Sequence, residues 1–422
     1  MRQVTARVAR NLAWLTGGEV VLKGALFGAG VLVARGLGPA AMGDFTVAYG
    51  AALALMLLFA AGQVEVIIRE VARRPDTSGS LYRAARSWQR RIALVAAPLA
   101  AAGTLLVRQP SLRWTLAAFL PYAWLRCWLI TGGAVFKGLD RMDVEVGGRG
   151  AEVVLAVVLL APLAFFGAPV WSTGLAFALG AAAGVMVIGA RLRRVTDFHA
   201  GAMAASALGR EGLGFLGLSL TNQLFTRVDT FLLASLGVAR EEIGRYGVAS
   251  APVWGSLALA QLIALAIYPT LARAAGRGAL RVPRVLALGG AGAALGVAIA
   301  GALVAVRALL VRLVFGPGYL GAVPLLGVLA WALPGACAGM VIGAVLAACG
   351  RQGWSLISRI GVLLLAVAGN LFAIPRWGTM GAAVVAVAVN TLSVVGAVGL
   401  AALAAARPRR LEGTALVETA WE

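Results

Sequence analysis

Apolar runs of roughly 20 residues recur along the chain between short polar connections, and each is long enough to cross a hydrocarbon core about 30 Å thick as an α-helix. They lie near 12–34, 45–68, 89–107, 113–136, 149–167, 170–190, 212–236, 246–270, 284–306, 322–347, 355–375 and 379–404. None shows the ten-residue alternation of an outer-membrane barrel. The pattern predicts an all-α polytopic membrane protein with about twelve transmembrane helices.

One run departs from the rest. The stretch 214–236, GFLGLSLTNQLFTRVDTFLLASL, carries Asn222, Gln223, Arg227 and Asp229. On a helix, these residues with Ser219, Thr226 and Thr230 fall within an arc roughly 160° wide. A charge at mid-membrane costs about 2.5–3.5 kcal/mol, so this face is expected to look into a bundle interior or a wet cavity.

The chain also repeats itself. Leu37-Gly38-Pro39 and Gly43-Asp44-Phe45 follow the first run, and Leu236-Gly237 and Gly244-Arg245-Tyr246 follow the seventh. Phe136-Lys137-Gly138 has a counterpart in Cys349-Gly350-Arg351. The offset is roughly half the chain, which predicts two six-helix lobes related by a pseudo-twofold along the membrane normal. The expected division is 1–198, 199–406 and a tail of 407–422, with the junction in the loop holding Arg191, Arg193, Arg194 and the lone His199.

Composition agrees. Hydrophobic residues make up 61% and charged ones 13%, and the mean hydropathy is +0.89, far from a soluble domain. The net charge of +20 does not signal nucleic acid, because the arginines are scattered through loops. Assigned to alternate connections, Arg and Lys divide roughly 26 against 8, and the positive-inside rule then places both termini in the cytoplasm. Arg2, Arg7 and Arg10 precede a run too long for a cleaved leader, so an uncleaved first span is expected. Cys127, Cys337 and Cys349 have no metal-ligand spacing and read as free thiols; no metal or cofactor is expected.

Several weaker features have ordinary explanations. Gly180 with Gly184, and Gly292 with Gly296, allow close helix packing. Pro121, Pro162, Pro252, Pro324 and Pro334 kink helices or end them. The segment from Arg69 to Arg91 is either a short helix on the membrane surface or a solvated loop. Gln63, Glu65 and Glu152 are expected to reach the interface. Gln261, Asn370 and Asn390 read as interhelical hydrogen-bonding groups.

The charges within spans carry the functional reading. Glu19 and Lys23 are a turn apart and either neutralise each other or line a cavity. Arg126 has no acid near it in sequence and bonds either backbone carbonyls or cargo. Arg227 and Asp229 cannot meet on one helix, so each needs a partner elsewhere or water. Lys23, Arg126 and Arg227 against Glu19 and Asp229 leave a slightly cationic interior, suited to a phosphate or pyrophosphate head group. Candidate substrate-binding residues are Lys23, Arg126, Arg227, Asn222 and Gln223; Glu19 and Asp229 are candidates for coupling or gating.

The sequence resembles the polysaccharide-biosynthesis flippases, called Wzx-type, of the multidrug/oligosaccharidyl-lipid/polysaccharide exporter superfamily. The resemblance rests on residues 31–45 (VLVARGLGPAAMGDF) and 67–73 (IIREVAR), on Asn222 with Arg227-Val228-Asp229, and on 244–247, 268–273, 315–319 and 378–383. It implies an inner-membrane transporter that flips a lipid-linked oligosaccharide, usually on undecaprenyl pyrophosphate, by alternating access between two six-helix bundles. Membrane lipids and a glycan polymerase or glycosyltransferase would be its partners. Arg227 and Asp229 match the family pattern best. The alternative is a cation-coupled drug or metabolite antiporter of the same superfamily, with Asp229 or Glu19 as the ion site. A membrane enzyme is disfavoured, since the chain has no phosphate-cradling glycine loop, HExxH or Ser-His-Asp arrangement.

Overall fold

A computed structural model describes residues 2–195, 205–276, 282–349 and 352–406. His199 and the tail after 406 lie outside the described residues. Those described are almost entirely helical, without strands. The helices are α1 (Arg2–Ala60), α2 (Gln63–Arg73), α3 (Ser78–Leu105), α4 (Pro110–Gly138), α5 (Met142–Phe165), α6 (Ser172–Val195), α7 (Ala205–Phe225), α8 (Val228–Ser235), α9 (Arg240–Gly276), α10 (Val282–Leu310), α11 (Ala322–Leu329), α12 (Leu333–Ala348) and α13 (Gln352–Ala406).

Two helices are each long enough for two crossings. The apolar stretches 17–60 and 357–399 hold 44 and 43 residues, about twice the ~20 residues that one crossing needs. Gly38 (φ 82°) breaks the first and Gly378 (φ 57°) the second. A side chain at either glycine would strain a left-handed backbone. Pro121 and Pro162, by contrast, sit inside continuous helices. Seven stretches among the described residues are long and apolar enough to cross, nine crossings with 17–60 and 357–399 counted twice, and α3, α4 and α7–α8 are the further helices that the expected twelve would need. The fold is the expected all-α polytopic one.

By packing, the chain forms two compact units, Met1–Val248 with Leu310–Ala322, and Ala249–Leu309 with Val323–Glu422. In the first, α5 and α6 run closely side by side because Gly180 and Gly184 bring α6 against the carbonyls of Glu152 and Gly148. The short α2 buries Gln63, Val66, Ile67 and Val71, one face of a helix, and packs on α4 and α7. The Arg69–Arg91 segment is thus helical and held by protein. In the second unit, Gly292 and Gly296 let α10 approach the backbone of α12. Asn370 and Asn390 donate to Ala366 and Ala386 at 2.8 and 2.7 Å, carbonyls one turn back on their own helix, so those bonds are not interhelical.

The duplication appears in atomic detail within the first unit. Gly38 and Gly237 both have a positive φ, of 82° and 76°. A Cβ on Gly43 would collide with the carbonyl of Arg240, and one on Gly244 with that of Pro39. Gly247 faces Thr46, whose Oγ1 lies 2.6 Å from where its Cβ would be. Residues 39 and 240, 43 and 244, and 46 and 247 are each 201 positions apart. Contacts in which residue i meets j and their counterparts exchange roles mark a twofold relation. Gly244→Val should therefore cost about 3 kcal/mol or more, since both colliding groups are backbone and cannot turn aside; a thermal-shift measurement of the purified variant checks it.

Candidate functional site

The polar seventh span is not one helix. It breaks at Thr226 and Arg227, with α7 ending at Phe225 and α8 starting at Val228. The second half of α1 runs beside it. Gly62 and Gly212 approach backbone to backbone at one end, and Gly43 meets Arg240 and Gly244 beyond the other. Midway, a Cβ on Gly50 would lie 3.6 Å from the Arg227 Cδ and the Phe231 ring. Arg227 is thereby fixed near the middle of the crossing, at an interruption of the helix whose amides at Thr226 and Arg227 still bond to the Asn222 and Leu224 carbonyls. Among the described residues its side chain makes no ion pair or hydrogen bond.

Its neighbours are settled differently. Asp229 is 7% exposed and accepts from the Tyr246 hydroxyl and from the Thr230 amide, the latter at 2.7 Å. Gln223 keeps a buried Nε2 without an acceptor, and Asn222 is exposed. The broken span thus presents Asn222 and Arg227 while Asp229 turns into protein.

The other sequence candidates gather between α1, α4 and α5. Arg126 pairs with Glu152, which is 1% exposed, so Arg126 has a carboxylate partner and Glu152 does not reach the interface. Glu19 and Lys23 approach only to 4.0 Å, because Glu19 is bound more closely by Arg149. Arg149 lies 3.5 Å from Glu145, which takes Lys137 at 3.1 Å. The result is a ladder of three cations and two acids with one net positive charge, ending in the half-exposed Lys23, beside the separate Arg126–Glu152 pair. Breaking one rung would strand a charge, at about 3–5 kcal/mol for a buried pair. The sequence reading missed Glu145 and Arg149 because it started the fifth span at 149, whereas α5 starts at Met142. Glu145, Arg149 and Glu152 at i, i+4 and i+7 are a one-face signal visible once the helix is extended.

A second missed group lies at the Gly38 end. Asp44, 1% exposed, is held by Arg240 through Nε at 2.8 Å and through a second, shorter bond from Nη2. Ser111 donates to Asp44 at 2.6 Å and accepts from Arg240 at 2.8 Å. Three segments far apart in sequence are latched by one bidentate pair.

The described residues thus form a polytopic helical membrane protein with an internal repeat, a broken span and interior cations. Residues 8–275 match the family described as polysaccharide biosynthesis protein, and the chain belongs to that family. No curated protein matches it in sequence. Solved structures of similar fold include an inward-facing multidrug-resistance MATE transporter of the MOP superfamily (18% identity, 91% of this chain and 94% of that one, TM-score 0.71). The lipid II flippase MurJ in an inward closed conformation is also similar (11% identity, 92% and 87%, TM-score 0.71). So is a MOP superfamily transporter from Pyrococcus furiosus (17% identity, 95% of each chain, TM-score 0.65).

Proposed function

We propose that this transporter flips a lipid-linked oligosaccharide, carried on a polyprenyl pyrophosphate, across the bacterial or archaeal inner membrane by alternating access, for cell-surface polysaccharide biosynthesis. Family membership supports the pathway. The observation that carries the chemistry is Arg227, a mid-span cation at a helix break with no acid of its own among the described residues. A guanidinium in that setting gains most from a phosphate oxygen, which it can grip in a planar fork. Lys23 offers a second exposed cation, and Asn222 a polar group on the same broken span. The arginine asymmetry puts both termini in the cytoplasm, which leaves the Gly38 and Gly237 connections outside.

Purified protein should bind a polyprenyl-pyrophosphate glycan in a pull-down from mixed micelles, and lack of binding to any such lipid, whatever its repeat unit, would sink the reading. A cation-coupled antiporter is the second reading, favoured by the buried Asp229, which among the described residues has hydrogen bonds but no ion pair. Loss of proton-linked efflux from vesicles in Asp229→Asn, with Arg227→Ala unaffected, would favour that version.

A further inference from the structure

A cavity of about 180 Å³ lies in the first unit between the second half of α1, the end of α3 and the start of α4. Its cause is local sequence. Ala48, Ala51 and Ala52 line it from α1 and Ala100 and Gly103 from α3, and side chains that short cannot fill the space between two helices. Leu116 and Phe119 on α4 form the third wall. The cavity is separate from the broken span, because Gly50 is the α1 residue that meets Arg227. Ala48 and Ala52, two positions to either side of Gly50, each fall about 160° round the helix from it.

The lining decides what the cavity can hold. Its one side-chain hydroxyl, on Thr104, donates to the Ala101 carbonyl at 2.7 Å, so no side-chain donor is left to fix a water molecule. An apolar cavity of about 150 Å³ stays dry and admits a group the size of benzene, so this one has room for roughly six carbons of a hydrocarbon. The surroundings decide what can reach it. Gly103 is exposed at the rim, as are Leu99, Leu105 and Leu106 beside it on α3 and Trp114 on α4. No charged residue occurs from Ile92 to Val107. An exposed apolar face of this extent meets the hydrocarbon of a bilayer.

We propose that this cavity binds one acyl chain of a bilayer phospholipid and holds it as a fitted part of the bundle. With no polar group to grip a head, the site selects on shape alone and takes, by mass action, the chain most concentrated around it. In a membrane that is the phospholipid acyl chain. The cavity begins at Ala48, one turn along α1 from Asp44, so the chain braces α3 and α4 against α1 directly beside the latch of Asp44, Ser111 and Arg240. The inference goes beyond transport, since it holds whatever cargo crosses.

The test uses full-length protein in nanodiscs of phosphatidylcholine that carries a diazirine in one acyl chain, with the labelled residues mapped by mass spectrometry after illumination. Residues 100–104 and 116–120 should take at least about threefold more label than Leu175 and Leu179, exposed apolar residues of α6 outside the cavity. A Cβ on Gly103 would meet no atom within 4 Å, so Gly103→Leu can enter the cavity without strain and should remove that excess while labelling of α6 stays the same. Ala51→Leu should do the same from the opposite wall. Arg227→Ala should leave the excess unchanged, which separates this site from the proposed cargo site. Equal labelling of the cavity and α6, an excess that survives both leucine variants in folded protein, or its loss in Arg227→Ala would overturn the proposal. Removal of the excess by unlabelled polyprenyl phosphate at about a tenth of the phospholipid concentration would overturn the assignment to an acyl chain, since a site selecting on shape alone would then keep most of its label.

Discussion

Arg227→Ala is expected to lower translocation of a pyrophosphate-linked glycan about tenfold or more, which is the loss of one charge-assisted contact worth about 1.5–3 kcal/mol. The protein should remain folded, because the side chain contributes only packing of its stem against Gly50 and Phe231 and has no ion pair to break among the described residues. Binding and transport should fall together if the guanidinium touches cargo. If it only latches the conformations, binding will survive while transport fails, so the two must be measured separately. Arg227→Lys should recover part of the activity, since a point charge replaces the fork.

The Asp44 latch should show a second large effect, and an unequal one. Arg240→Ala strands a carboxylate that is 1% exposed, whereas Asp44→Ala leaves a guanidinium that is already 29% exposed and can reach water. Arg240→Ala is therefore expected to cost about 3–5 kcal/mol, at the level of a broken buried pair, and Asp44→Ala distinctly less. Thermal unfolding of both single variants and the double variant in detergent closes a cycle, with a coupling of about 1–3 kcal/mol expected. Equal single effects with no coupling would remove the latch. The other end is tied more weakly in polar terms. There the ion pair of Arg69 with Glu211 is 41% and 48% exposed, a setting in which such pairs contribute about 0–1 kcal/mol. Under the proposed alternating access one of these ends must part, and the energetic contrast makes the Gly62–Gly212 end the easier to open.

Much of this architecture was legible in the chain. Twelve apolar runs and two similar connections, at Gly38 and Gly237, were enough for the crossings and the duplication, because both are local patterns of hydropathy and turn chemistry. The sequence also marked Arg227 and Asp229 as anomalous. It could not show that the helix breaks at Thr226 and Arg227 and that the two charges meet different surroundings, since no glycine or proline marks the break. The partners of Arg126, Glu19 and Asp44 were illegible for a different reason. Glu152, Arg149 and Arg240 lie 26, 130 and 196 residues away, and no periodicity links residues on separate helices. Glycines gave the converse case. Gly43 and Gly244 were readable only as repeat markers, yet the fold uses them for close backbone contacts between the two copies of the repeat.

The most direct test is translocation itself. Purified protein reconstituted into liposomes with a fluorescent polyprenyl-pyrophosphate oligosaccharide should move it from the leaflet where it is loaded to the other, as read by a quencher confined to one side. The predicted result is transfer that depends on the wild-type protein and drops about tenfold with Arg227→Ala. Transfer no faster than in protein-free liposomes, from preparations that bind the lipid and unfold cooperatively, would contradict the account.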